Sequence, residues 1–143
     1  MIYLFGTPAI WWLTIPILVW AAWVWITRRD YRVILPLVAF MAGFLPWLAA
    51  FDRQMYFFYA TALVPFTAVL LGLALGNIAK KGAPTGNAFV RRVAGADLRS
   101  GQLAVLAYLA LVVANFLYFS PIFYGYMIPE GYFQSLMWLP SWK

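Results

Sequence analysis

Four long apolar stretches without a single charged side chain dictate what this chain can fold into; they cover about residues 9–27, 33–51, 55–79 and 103–122. A helix crossing about 30 Å of hydrocarbon takes roughly 20 apolar residues at 1.5 Å rise each, and every stretch meets that length. Charges punctuate them: Arg28, Arg29, Asp30 and Arg32 follow the first, Asp52 and Arg53 the second, Lys80 and Lys81 the third. The 143 residues are 66% hydrophobic and 20% aromatic, with 10 basic and 4 acidic side chains. So few charges cannot cover a small globule in water, whereas hydrocarbon accepts an apolar exterior. The expected fold is all-α and integral to a membrane, with four transmembrane helices.

Lys and Arg resist translocation, so basic loops mark the cytoplasmic side. Loops 28–32 and 80–101 must share one side, and they hold all the basic residues except Arg53 and Lys143. The expected protein is a multi-pass plasma-membrane protein with both termini extracytoplasmic, a cytoplasmic loop over 80–101 and an external interfacial tail over 123–143. The start of the chain lacks the basic leader and small-residue cleavage site of a signal peptide, so its apolar stretch reads as a helix. Segment 80–101, rich in Gly, Pro, Asn and basic residues, reads as a flexible loop touching anionic headgroups. The net charge of +6 therefore reports topology, and no nucleic-acid partner is expected.

The chemistry available is sparse. The chain has no Cys and no His, and its carboxylates, Asp30, Asp52, Asp97 and Glu130, are scattered singly. No metal site, cofactor or paired acid and base is legible, and no residue is singled out as catalytic. Aromatic rings crowd the expected span ends, as interfacial belts do: Trp20, Trp23 and Trp25 on the cytoplasmic side, Trp11, Trp12, Trp47 and Tyr118 among those outside. Pro16 and Pro65 are expected to kink their helices, and Pro36 to sit harmlessly in a first turn. Gly72 and Gly76 form a small-residue pair that lets helices approach closely, and Asn77 and Asn115 are expected to hydrogen-bond between helices.

One segment carries candidate binding chemistry. In Asp52-Arg-Gln-Met-Tyr-Phe-Phe-Tyr59 a guanidinium stands at the external mouth of a helix pair beside a carboxamide and two phenols. The guanidinium fork matches a pair of phosphate oxygens, and the following helix start adds unsatisfied N–H groups. Arg53, Gln54, Tyr56 and Tyr59 are thus the candidate residues for the phosphate of a lipid-linked donor. Physical chemistry alone leaves the commoner arrangement open, an interfacial arginine paired with Asp52 or with headgroups.

The chain resembles the carboxyl-terminal membrane region of the protein O-mannosyltransferases in their actinobacterial form. Gly6-Thr-Pro-Ala-Ile-Trp-Trp12 resembles the family's Gly-Asn-Pro…Trp-Trp segment. Asp52 to Tyr59 with Pro65-Phe66 resembles its arginine–aromatic segment, and Met137-Trp-Leu-Pro-Ser-Trp142 its usual ending. Thr7 replaces the usual Asn, and Phe58 stands where eukaryotic relatives often carry His. The resemblance implies a fragment of a GT-C glycosyltransferase membrane domain. The enzyme implied takes polyprenyl-phosphate-mannose as donor and transfers mannose to Ser or Thr of exported acceptor proteins, with Arg53 holding the donor phosphate. The family's acidic Asp-Glu loop is absent here. The chain is therefore expected to be the last third of such an enzyme, a gene fragment or a separately encoded piece, with an N-terminal mannosyltransferase portion as partner and without activity alone. A small four-helix transporter or a structural membrane subunit would fit the same topology, although no span holds the ionisable group that transporters use.

Overall fold

A computed structural model describes residues 7–49 and 60–138. Its helices are α1 (Pro8–Trp11), α2 (Thr14–Arg28), α3 (Tyr31–Ala49), α4 (Val64–Ala79), α5 (Ala88–Ala94), α6 (Ser100–Phe123) and α7 (Glu130–Leu136), with a 3-10 turn at Thr61–Leu63 before α4. Four helical stretches are long and apolar enough to cross a membrane: Pro8–Arg28, Tyr31–Ala49, Thr61–Ala79 and Ser100–Phe123. This is a multi-pass membrane fold.

Prolines set the breaks. Pro16 cannot donate to the carbonyl four residues back, and its ring crowds that carbonyl, which belongs to Trp12. The first span is accordingly interrupted between Trp11 and Thr14, and Pro16 falls in the first turn of α2 rather than kinking a continuous helix. Pro65 likewise opens α4 directly after the 3-10 turn, where its missing N–H costs little. Pro36 lies two residues further into α3 than the sequence suggests, because that helix begins at Tyr31. Within α6, Pro121 frees the carbonyl of Leu117, and the Ser120 hydroxyl donates to it at 2.8 Å, so the helix continues to Phe123.

Helix α4 is central and packs on α2, α3 and α6, while α1 packs on α6. One core joins Ile17, Ala21 and Val24 of α2, Val33 and Leu37 of α3 and Leu70 of α4. Two polar contacts tie α1 to α6 at membrane depth: the Tyr108 hydroxyl donates to the Ala9 carbonyl at 3.0 Å, and the Ala9 N–H donates to Asn115 Oδ1 at 3.4 Å. The second satisfies one of the unpaired N–H groups at a helix start. Asn115 therefore bridges helices as expected. Only 6% of the apolar window of α6 is buried, so most of its surface is left for lipid or further protein.

Arg29 ends α2 in a left-handed conformation, φ 52°, and turns the chain so that Asp30 caps α3. Arg32 donates to Asp30 from Nη2 at 2.7 Å and from its backbone N–H at 3.0 Å. Those bonds, side chain first, hold the carboxyl at about 2, below the 3.8 of an ordinary aspartate. A lowered folded-state value means that the cap's contribution is complete above pH 3.8 and disappears as the pH falls through about 2. In a pH series on nanodisc-embedded protein, the Asp30 carboxyl carbon should titrate near 2, and a midpoint at 3.8 would show the pair to be absent.

Segment 80–101 is more built than its composition suggests. Pro84 and Arg99 form an antiparallel bridge, the Thr85 N–H donates to Leu98 O at 3.0 Å, and the Gly86 N–H donates to Asp97 Oδ1 at 3.0 Å. Asn87 caps α5 by accepting from the Phe89 N–H at 2.9 Å, and Gly95 closes it with a positive φ.

Candidate functional site

The bundle has two chemically different ends. Arg28, Arg32 and Lys80 meet at one of them around a common cleft. There the Arg28 guanidinium lies 5.8 Å from the Trp23 ring and that of Arg29 lies 5.5 Å from Trp25, which gives the tryptophan belt a cationic rim.

The other end is aromatic. Helix α7 folds back onto the end of α6, and Phe119, Ile122, Leu136 and Met137 form a second buried cluster. The Tyr132 hydroxyl donates to the Tyr118 carbonyl at 2.9 Å, and the Tyr118 hydroxyl to the Ser135 carbonyl at 3.1 Å. Trp138 packs edge-on to Phe119 at 4.9 Å and lies 6.0 Å from Trp12. Residues from two distant segments singled out in the sequence, Trp12 and Trp138, are thus brought into contact.

Between α1, α2 and α4, towards this aromatic end, opens a cavity of about 430 Å³. Its wall is almost wholly apolar, including Ile10, Trp11, Leu71 and Leu75, and is interrupted by the hydroxyls of Thr7, Thr14 and Thr67. Thr67 Oγ1 donates to the Leu63 carbonyl at 3.3 Å. Thr14 is buried, and its hydroxyl has no hydrogen-bond partner among the described residues. A buried hydroxyl left unpaired costs about 1–3 kcal/mol. Size and lining are those of a small-molecule site.

Arg53, Gln54, Tyr56 and Tyr59, together with Asp52, lie outside the described residues. In sequence they fall between Ala49, the end of α3, and Ala60, just before the turn that leads to Val64 and Thr67 of the cavity wall. Each described carboxylate has a partner: Asp30 holds Arg32, Asp97 accepts from Gly86 and Glu130 accepts from Gln134 Nε2 at 2.7 Å. No group of three or more potential metal ligands occurs among the described residues.

Two expectations are corrected. Among the described residues, Gly72 and Gly76 do not seat a neighbouring helix, since a methyl group added at either would meet nothing within 4 Å; they line the clefts instead. Asn77 makes no interhelical hydrogen bond among the described residues and lines the basic cleft. Thr14 and Thr67 escaped the sequence reading. The only signal available was a hydroxyl inside an apolar span, which ordinarily bonds its own helix.

Fold and clefts together define a four-span helical module of an integral membrane protein, with an apolar cavity at one end and a basic one at the other. The chain belongs to the family described as the C-terminal four-transmembrane region of protein O-mannosyltransferases, which it matches over residues 1–142. It is 57% identical, over its whole length, to a polyprenol-phosphate-mannose–protein mannosyltransferase of Corynebacterium glutamicum, of which it covers 26%. The protein of the same name from Mycobacterium tuberculosis is 42% identical over 98% of the chain, which covers 25% of it. A dolichyl-phosphate-mannose–protein mannosyltransferase 3 of Saccharomyces cerevisiae is 30% identical over 76% of the chain and 13% of its own length. The chain thus spans about a quarter of the length of the bacterial relatives. No solved structure matches it significantly. Family membership does not favour the transporter or structural-subunit reading that topology alone permits.

Proposed function

We propose that this chain is the donor-lipid-binding region of a protein O-mannosyltransferase, which uses polyprenyl-phosphate-mannose to mannosylate Ser and Thr of exported proteins. The supporting observation is the apolar cavity between α1, α2 and α4, in a chain of this family. An isoprenoid chain suits the cavity, and the phosphate would then belong near Arg53, with Gln54, Tyr56 and Tyr59 beside it. In the transfer, an acceptor hydroxyl attacks C1 of the mannose, the bond from C1 to the phosphate oxygen breaks, and polyprenyl phosphate leaves. Cationic binding of that phosphate lowers the barrier, while a carboxylate must take the hydroxyl proton. Asp30, Asp97 and Glu130 are engaged elsewhere, and Asp52 lies outside the described residues. The family resemblance, with its acidic pair in an earlier loop, is what supports assigning the base to an N-terminal mannosyltransferase portion and expecting the chain alone to be inactive. The aromatic end faces outwards and the basic end the cytoplasm in the plasma membrane, a reading supported by the distribution of Lys and Arg.

A photoactivatable polyprenyl phosphate tests this reading. Adducts should map to Ile10, Leu71 and Leu75 and be displaced by polyprenyl-phosphate-mannose; adducts spread over the outer face of α6 would refute it. Thr14→Val keeps the side-chain shape and removes a buried hydroxyl that has no partner among the described residues. It should stabilise the fold by about 1 kcal/mol and leave probe binding within about threefold, with helicity unchanged.

A further inference from the structure

At the basic end a cleft of about 170 Å³ lies between the end of α2, the start of α3 and the last turns of α4. Arg28, Arg32, Lys80 and Asp30 supply its charges, and Asn77 adds a carboxamide. Asp30 is spent on Arg32, which it holds at 2.7 Å, so two cations, Arg28 and Lys80, remain without a carboxylate among the described residues. Deeper in, the walls turn apolar at Trp20, Val24 and Leu73. Gly72 and Gly76 line the same cleft and leave open space along α4, so the basic mouth gives onto an apolar trough there.

We propose that this cleft binds the phosphate headgroup of an anionic glycerolipid, with an acyl chain lying along the glycine face of α4. The two unpaired cations and the amide match a phosphodiester, as basic pockets between membrane helices do. Inorganic phosphate shares that anion chemistry but gains nothing from the apolar trough, which is why the lipid is the preferred occupant. The site is at the opposite end from the donor cavity and does not depend on the donor reading.

Native mass spectrometry of the 143-residue chain, released from micelles doped with phosphatidylglycerol, phosphatidylcholine or inorganic phosphate, tests the proposal. One phosphatidylglycerol should be retained in preference to phosphatidylcholine. Arg28→Gln with Lys80→Gln should lower its affinity about thirty-fold, the effect of two such cations. The control pair Arg91→Gln with Arg92→Gln, on α5 and outside the cleft, removes the same charge and should change it less than about threefold. Gly76→Leu fills open space and should lower lipid retention while leaving helicity and phosphate binding unchanged. Equal losses from the two double variants would overturn the site in favour of diffuse charge attraction. Phosphate binding as tight as that of phosphatidylglycerol, or no preference over phosphatidylcholine, would overturn the lipid as occupant.

Discussion

With Arg53 on the donor phosphate as proposed, an Arg53→Ala variant of a complete transferase carrying this chain as its C-terminal region should transfer mannose about a hundred-fold more slowly than the parent. The magnitude follows from where charge grows. As the bond to C1 breaks, negative charge accumulates on the departing phosphate, so a guanidinium beside it binds the transition state more tightly than the donor. The rate constant kcat should therefore fall by a larger factor than KM rises. Arg53→Lys keeps the charge but loses the planar fork and should recover only part of the rate. Gln54→Ala, Tyr56→Phe and Tyr59→Phe each remove one hydrogen bond and should stay within about tenfold of the parent. Unchanged kcat/KM in Arg53→Ala would remove the proposed role. The chain has no cysteine, so an Arg53→Cys variant labelled by a membrane-impermeant maleimide also reports which side of the membrane that position faces.

What the sequence makes legible here is what a single dimension can carry. Apolar run length and charge punctuation define spans because hydrocarbon imposes one requirement on every residue in a span, and the four spans follow. Proline is different, since its effect depends on its position relative to a helix start. Pro16 and Pro65 fall within the apolar runs and read as kinks, yet each has a helix that begins just before it. Tertiary relations are harder still. Glycines four apart mean close approach only if a second helix arrives, and none does at Gly72 and Gly76 among the described residues. Similarly, Thr14 and Asn115 are both polar groups inside apolar spans, but only the structure separates the one that bridges helices from the one left unpaired in a cavity wall. The candidate phosphate site was legible as a motif, and its residues lie outside the described ones.

Substitution of Gly101 by alanine should be the most damaging single methyl addition in the described part of the chain. Gly101 is buried at the start of α6, where its N–H donates to the Lys81 carbonyl at 3.2 Å. A Cβ there would stand 2.6 Å from that same Lys81 oxygen and closer still to the Ile78 oxygen. Both obstacles are backbone, and both are further constrained: the Arg99 guanidinium donates to the Lys80 carbonyl at 3.0 Å, and the Lys81 N–H donates to Ile78 O at 2.9 Å. Neither can swing aside as a side chain would, so the end of α4 and the start of α6 must separate. Overpacking of a filled site costs about 1–3 kcal/mol, and a rigid backbone obstacle places Gly101→Ala at the upper end. Gly72→Ala and Gly76→Ala add the same methyl to open space and should instead gain up to about 1 kcal/mol from helix propensity. Reversible unfolding in mixed micelles, followed by tryptophan fluorescence, compares the three directly. Equal stabilities would mean that α4, which forms a wall of both clefts, and α6 do not meet closely at Gly101.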